Sequence, residues 1–329
     1  MMDFGLTDEQ DQLADAERAW LVRHDPLARV RATLDTAPIT IDPAAVARAT
    51  ESGLLDLLTS EMGGTHVDLA VLTEAHGYAA GSLPIADLAV AAWLLDIAGI
   101  GNDGGSLTGV AFAGDHTSSP VPMAADMAAI AVAHHAGERE YLSMLPAPAL
   151  VAMSTFDLTR SWARVNLDSA GEAVLDKATE LAAGTLAAVR DALAVHRAFD
   201  ALGAAARLLD MTVEYAGQRE QFGAPIGSFQ AVKHHCADMV VAVESARASL
   251  WAAALALDTS DGTARARATS AAAAYAKAAA ARVAGDALQV HGGIGFTWEH
   301  DLHLLLRRIK VDEAFDGTVC EHRAALVSG

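Results

Sequence analysis

The chain has 329 residues, of which 52% are hydrophobic and 20% charged, with a formal net charge of −19. That length buries a large core and divides into two or three domains. The charge excludes nucleic acid, whose phosphates need a basic stripe, and it excludes an anionic membrane surface.

The first residues, MMDFGLTDEQDQLADAERAWL, are acidic and amphipathic, with neither a basic start nor a long apolar run, so no signal peptide is expected. Thr7 and Gln10 form a capping box, and apolar residues recur at helical spacing from Leu13 to Leu21, until Pro26. Asp42 and Pro43 read as an N-cap followed by proline at the first helical position, opening a helix to about Leu58. Gly63, Gly64 and Thr65 break the chain before a helix over 67–80, and Pro84 starts the next, which ends near Gly99. This last stretch, LPIADLAVAAWLLDIAGI, is interrupted by Asp87 and Asp96 and reads as a buried helix, not a membrane span.

From GNDGGS, at Gly101, the pattern changes to short runs: LTGVAFAG, AAIAVAH, REYLSML, PALVAMS and WARVNLD. Separated by Gly, Pro, Ser and His, they predict about five to seven strands ending near Leu175, enough for a small barrel or sandwich. After Asp176 the helical period returns over 178–217, 229–257 and 263–290, with a shorter helix after Trp298. Long helices with short connections form an antiparallel four-helix bundle. The expected fold is mainly α: a helical domain 1–100, a small β domain 101–176 and a bundle 177–329.

Cys236 and Cys320 are too few for a disulfide framework and point to a reducing cytoplasm. A carboxylate-bridged metal site in a bundle needs Glu-x-x-His pairs on facing helices. The C-terminal half has none, and His234 and His235 point to different faces, so no metal is expected. No G-x-S-x-G nucleophile motif occurs.

Three segments stand out. In YAGQREQFGAPIGSFQAVKHHCADM, Arg219 at a helix end serves to compensate the dipole. Gln221 and Phe222 beside it go further: a guanidinium next to an aromatic ring suits a diphosphate and a heteroaromatic plane. In QVHGGIGFTWEHDLHL, one glycine would cap the helix, but Gly292, Gly293 and Gly295 together let a backbone or a phosphate come close. In DEAFDGTVCEHRAAL, Asp316, Gly317 and Thr318 interrupt two helical pieces, which alone is a plain helix break.

Taken in this order, the segments resemble the C-terminal domain of the acyl-CoA dehydrogenase family. The resemblance implies an FAD bound across a subunit interface. It puts Arg219 on the pyrophosphate, Phe222 beside the adenine with Gln221 and Gln230 near, and Gln289, Gly292 and Gly293 along the ADP part. Thr318 matches a flavin-contacting threonine, and Cys320 stands where the family has glutamine. Asp316 occupies the position of the glutamate that removes the substrate's α-proton, one methylene (about 1.5 Å) shorter. A misplacement of that size lowers a rate about a hundredfold. Other members carry the base on an earlier bundle helix, at a place matching Leu193. The family's Thr-Glu-Pro-x-Ala-Gly-Ser segment has no counterpart between Gly101 and Asp176.

The chain is similar to the short subunit of actinobacterial heterotetrameric dehydrogenases, which act on bulky CoA thioesters such as those of steroid side chains. Two readings follow. One is an FAD-dependent subunit that converts an acyl-CoA to the trans-2-enoyl-CoA and passes electrons to a separate flavoprotein. The other is a non-catalytic partner that completes the flavin site of a longer homologue.

Overall fold

The computed structural model describes residues 6–24, 26–34, 38–101, 106–169 and 178–328. Helix α1 (Asp8–His24) opens on the expected capping box. Thr7 N donates to Gln10 Oε1 at 3.0 Å, and Gln10 N donates to Thr7 Oγ1 at 3.2 Å. Helix α2 (Pro26–Thr33) follows, and α3 (Pro43–Glu51) is capped by Asp42, whose side chain accepts from Ala44 N at 3.0 Å. Helix α3 stops well before Leu58. Gly53 turns left-handed at φ +68°, a conformation glycine takes without strain, and Leu54 N folds back onto Ala49 O at 2.8 Å. Helix α4 (His66–Ala79) has a full capping box between Thr65 and Asp68, and α5 (Ile85–Ile97) ends before Gly99, at φ +66°.

Among the described residues the middle unit has seven strands: β1 (Thr108–Phe112), β2 (Val121–Pro122), β3 (Ala129–Ala136), β4 (Arg139–Pro146), β5 (Leu150–Met153), β6 (Trp162–Val165) and β7 (Thr179–Leu181). They form two sheets, ordered β1-β3-β4-β7 and β2-β6-β5. Strand β1 runs parallel to β3, and the other pairs are antiparallel. The expected strand end near Leu175 and the 176/177 boundary lie outside the described residues, as does most of GNDGGS. The helix expected from residue 178 is corrected. Residues 179–181 pair with β4 instead, Leu181 opposite Glu140. The Glu140 carboxylate then accepts from Gly184 N at 3.0 Å and from Leu186 N at 2.8 Å, so the next helix starts at Thr185.

That helix, α6 (Thr185–Gln218), is the spine of the C-terminal bundle. A hairpin of β8 (Glu220–Gln221) and β9 (Ala224–Pro225) leads into α7 (Gln230–Thr259), α8 (Gly262–His291), α9 (Leu302–Ala314) and α10 (Val319–Ser328). Alanines line the seams: Ala198, Ala201, Ala204 and Ala205 of α6 and Ala273, Ala276, Ala280 and Ala284 of α8 are all buried. Helix α7 is long and apolar enough by composition to cross a bilayer, but its Met239, Val243, Ala246 and Leu250 are buried in the protein.

Helices α4 and α6 touch backbone to backbone. A Cβ on Gly77 would lie 2.2 Å from Asp200 O, and one on Gly203 would lie 2.1 Å from Glu74 O. Beside this crossing sits a fully buried charge cluster. Arg308 of α9, 0% exposed, grips Asp200 of α6 with two bonds of 2.6 and 2.8 Å. Its third arm donates to Gly81 O at 3.1 Å and to Thr159 Oγ1 at 2.8 Å. Arg160 reaches the same Asp200 at 2.9 Å and Leu83 O at 3.3 Å. One aspartate thereby ties the N-terminal helices, the β unit and the bundle together.

Two outcomes are expected. Gly203→Ala forces the helices apart and destabilises by about 1–3 kcal/mol or more, since overpacking against backbone has no side-chain escape. Asp200→Ala strands two buried guanidinium groups and costs about 3–5 kcal/mol. Urea unfolding followed by circular dichroism, with midpoints unchanged from wild type, would contradict either.

Candidate functional site

The three segments that stand out in the sequence fall in two places, far apart. The first is the end of the bundle where α6 stops, α7 starts and α8 stops. Arg219 closes α6, its backbone N–H bonded to Tyr215 O at 2.8 Å, and its exposed guanidinium has no ion-pair partner among the described residues. Phe222 stands at φ +53° and 95% exposed, edge-on to Phe229. Gln221 donates to Glu220 O at 2.7 Å, and Gln230 is exposed on the first turn of α7, a helix start without a side-chain cap.

The glycine loop meets this loop at the same end. The Tyr215 and His291 rings stack with centroids 4.5 Å apart, joining the last turns of α6 and α8. His291 Nδ1 donates to Ala287 O at 2.8 Å, and burial lowers its basicity, so the ring is neutral. Gly292 takes φ +60°, and beyond the adjoining backbone no described heavy atom lies within 4 Å of where a Cβ would sit on Gly292 or Gly293. Gln289 is exposed one turn earlier, and Phe296 and Trp298 are exposed just beyond. This end therefore offers an unpaired cation, uncovered rings, an uncapped helix start and open backbone. That donor set fits a diphosphate joined to a heteroaromatic plane.

The second place is the 315–318 loop. Its depth was not foreseen. Arg197, buried in mid-α6, reaches Asp316 Oδ2 from Nε at 3.0 Å and Asp87 Oδ1 from Nη2 at 2.7 Å, with Asp312 at 3.9 Å. Burial alone would ease the proton off Arg197, but Asp87, Asp316 and Asp312 hold it well above the ordinary arginine range, so it stays charged. Asp312 is fully buried, with no hydrogen-bond partner on either oxygen among the described residues; burial, then the charge of Asp200, push it well above the ordinary carboxylate range. Lys277 of α8 donates to Phe315 O and Gly317 O, each at 2.6 Å, and to Asp316 O at 3.5 Å. Burial lowers its pKa to about 8.

Thr318 is used locally. It caps α10, its N and Oγ1 bonded to Glu321 Oε2 at 2.7 and 2.8 Å and its Oγ1 accepting from Glu321 N at 3.2 Å. Cys320 is exposed and Leu193 is buried.

Arg197, Lys277, Asp87 and Asp312 were missed by motif reading. A signal existed for one of them: Lys277 is the lone charge inside the alanine run SAAAAYAKAAAA, and a charge there must find buried partners. Among the described residues no cluster of three His, Cys, Asp or Glu groups could hold a metal ion.

Residues 186–325 match the model of the acyl-CoA dehydrogenase C-terminal domain. FadE34, an acyl-CoA dehydrogenase of Mycobacterium tuberculosis, is 45% identical over 152 residues, covering 46% of this chain and 20% of FadE34. IpdE2, an acyl-CoA dehydrogenase of the same organism, is 45% identical over 121 residues, 36% of either protein. The match thus spans only about a fifth to a third of these curated relatives. Among solved structures, the ChsE4–ChsE5 complex of M. tuberculosis superimposes with a TM-score of 0.84 at 22% identity, over 99% of this chain and 98% of that one. The Tcur3481–Tcur3483 steroid ACAD gives 0.83 at 23%, over 98% and 97%. Butyryl-CoA dehydrogenase of Megasphaera elsdenii gives 0.77 at 18%, over 99% of both. The chain therefore carries an acyl-CoA dehydrogenase C-terminal domain at residues 186–325 and has the acyl-CoA dehydrogenase fold throughout.

Proposed function

We propose that the chain is an FAD-binding subunit of an acyl-CoA dehydrogenase, assembled with a longer homologue as a heterotetramer that oxidises a bulky acyl-CoA, such as a steroid side-chain thioester. The observation that carries this reading is the unpaired Arg219 guanidinium beside uncovered Phe222, at the bundle end shared with the Gly292 loop. Bound FAD would supply the acceptor for the β-hydride of an acyl-CoA whose α-proton goes to a base, the product being the trans-2-enoyl-CoA. A separate electron-accepting flavoprotein would be the partner that reoxidises the flavin. Relatives and neighbours named acyl-CoA dehydrogenases, a two-protein complex and a steroid ACAD support the substrate class and the heteromer. The net charge and lack of a disulfide framework suit a cytoplasmic enzyme.

The roles of this chain's residues follow from their chemistry. Arg219 offers a forked donor to the diphosphate, and Phe222 offers a ring face to the adenine. Gln221, Gln230 and Gln289 supply amides to the sugar and phosphate oxygens, while Gly292 and Gly293 let them approach the backbone. Arg219 closes α6, while the Asp316 loop packs against its middle. Arg197, which holds Asp316, is twenty-two residues before Arg219, or about 33 Å along the helix. That span exceeds one dinucleotide, so the Arg219 end serves a flavin whose ring lies in a neighbouring subunit. Thr318, already committed to capping α10, is a weaker flavin contact than the bundle end.

Arg219→Ala should strip flavin from the assembled protein. A hydrogen bond to a charged group contributes about 1.5–3 kcal/mol, a roughly tenfold to hundredfold loss of affinity. Full flavin absorbance after gel filtration would refute the loop's role. A cofactor held between subunits also couples binding to assembly. Sedimentation at low micromolar concentration should therefore find flavin only in oligomers, and a flavin-saturated monomer would overturn the interface.

A further inference from the structure

We propose that Arg197 and Lys277 are positioning residues that lock the 315–317 loop, with Asp316 turned inward as a structural anion, so that this chain contributes no base to the dehydrogenation. The inference rests on the reading of the chain as a dehydrogenase subunit.

The two cations take hold of the loop in different ways. Arg197 binds its one side-chain carboxylate, while Lys277 binds its backbone. An ammonium has three donors, and three consecutive carbonyls, those of Phe315, Asp316 and Gly317, converge on Lys277 Nζ. That convergence requires the loop's turned backbone. Asp316 sits at φ +53° and Gly317 at φ +88°, and a Cβ on Gly317 would lie 2.6 Å from His322 Nε2. The outer wall is aromatic: Trp162 packs edge-on against Phe315 at 4.8 Å, and the Arg197 guanidinium lies 5.0 Å from the Trp162 ring centroid.

Both cations are buried, and burying a charge without a partner is expensive. The loop is what satisfies them, so opening it would leave Lys277 without acceptors and Arg197 with only Asp87 in close contact. A general base must bring a free oxygen to the reacting carbon. Asp316 directs Oδ2 at a guanidinium that Asp87 already orients from the other side, and since its side chain is 23% exposed it is this pairing, not burial, that holds the carboxylate. The shortened side chain and the locked loop act in the same sense: the carboxylate stays with Arg197.

The experiment uses the co-purified complex, with flavin occupancy and turnover of an artificial electron acceptor measured first. Absence of both in the wild type would refute the subunit reading while leaving the lock to be decided by exchange alone. Amide hydrogen exchange across residues 315–322 then reads the lock. Lys277→Met and Asp316→Asn should each speed exchange at least tenfold, Lys277→Arg should restore protection, and Asp316→Asn should keep turnover within threefold of wild type at equal flavin occupancy. Arg197→Met should behave like Asp316→Asn; if it does not fold, the other variants decide. Wild-type exchange in Lys277→Met and Asp316→Asn would overturn the lock. A thousandfold loss of turnover in Asp316→Asn, with flavin retained, would make Asp316 the base and overturn the proposal.

Discussion

The structure hangs on Asp200. It lies where α4 and α6 cross through Gly77 and Gly203, and its carboxylate is shared by Arg308 of α9 and Arg160 of the β unit. None of these charges is accessible to water, so each depends on the others for its solvation. The same arginines donate to Gly81 O and to Leu83 O in the turn between α4 and α5, Leu83 O also accepting from Ile85 N. Two helical units and one β unit are thereby fixed on one helix, and everything functional is measured from that helix.

The length of α6 has a direct consequence. One end carries Arg219 and, through the Tyr215–His291 stack, the glycine loop; its middle carries Arg197 and the Asp316 loop. The first is exposed, its guanidinium without an ion-pair partner among the described residues. The second is charge-matched and half-buried. A chain that only donates cofactor contacts needs the first and has no need of a free carboxylate at the second. Aligning both motifs along a sequence hides this difference, because order along the chain says nothing of exposure.

Much of this was legible beforehand. Local signals decided the helix starts: Thr7 with Gln10, Asp42 with Pro43 and Thr65 with Asp68 act within one turn, so the sequence contains the whole interaction. The errors fell where a distant residue intervened. Strand β7 exists because Glu140 of β4 lies opposite Leu181 and then caps α6, which a helical period after residue 178 could not reveal. The end of α3 depended on Gly53 adopting a left-handed turn instead of sitting in a helix. At the site, Arg219, Phe222 and Gly292 stood out because loop residues with unusual chemistry break the surrounding pattern. Arg197 and Asp312 did not, since charged residues on helices are ordinary until their burial is known.

The central claim is that this chain gives cofactor contacts to a neighbouring subunit while its own Asp316 stays bound to Arg197. The most direct test is an experimental structure of the co-purified complex with FAD. The account predicts the Arg219 guanidinium within hydrogen-bonding distance of the diphosphate of a flavin whose ring lies in the partner subunit, with the Asp316–Arg197 pair intact. A flavin with its ring against this chain's own Asp316, the carboxylate released from Arg197 and facing the substrate site, would contradict it.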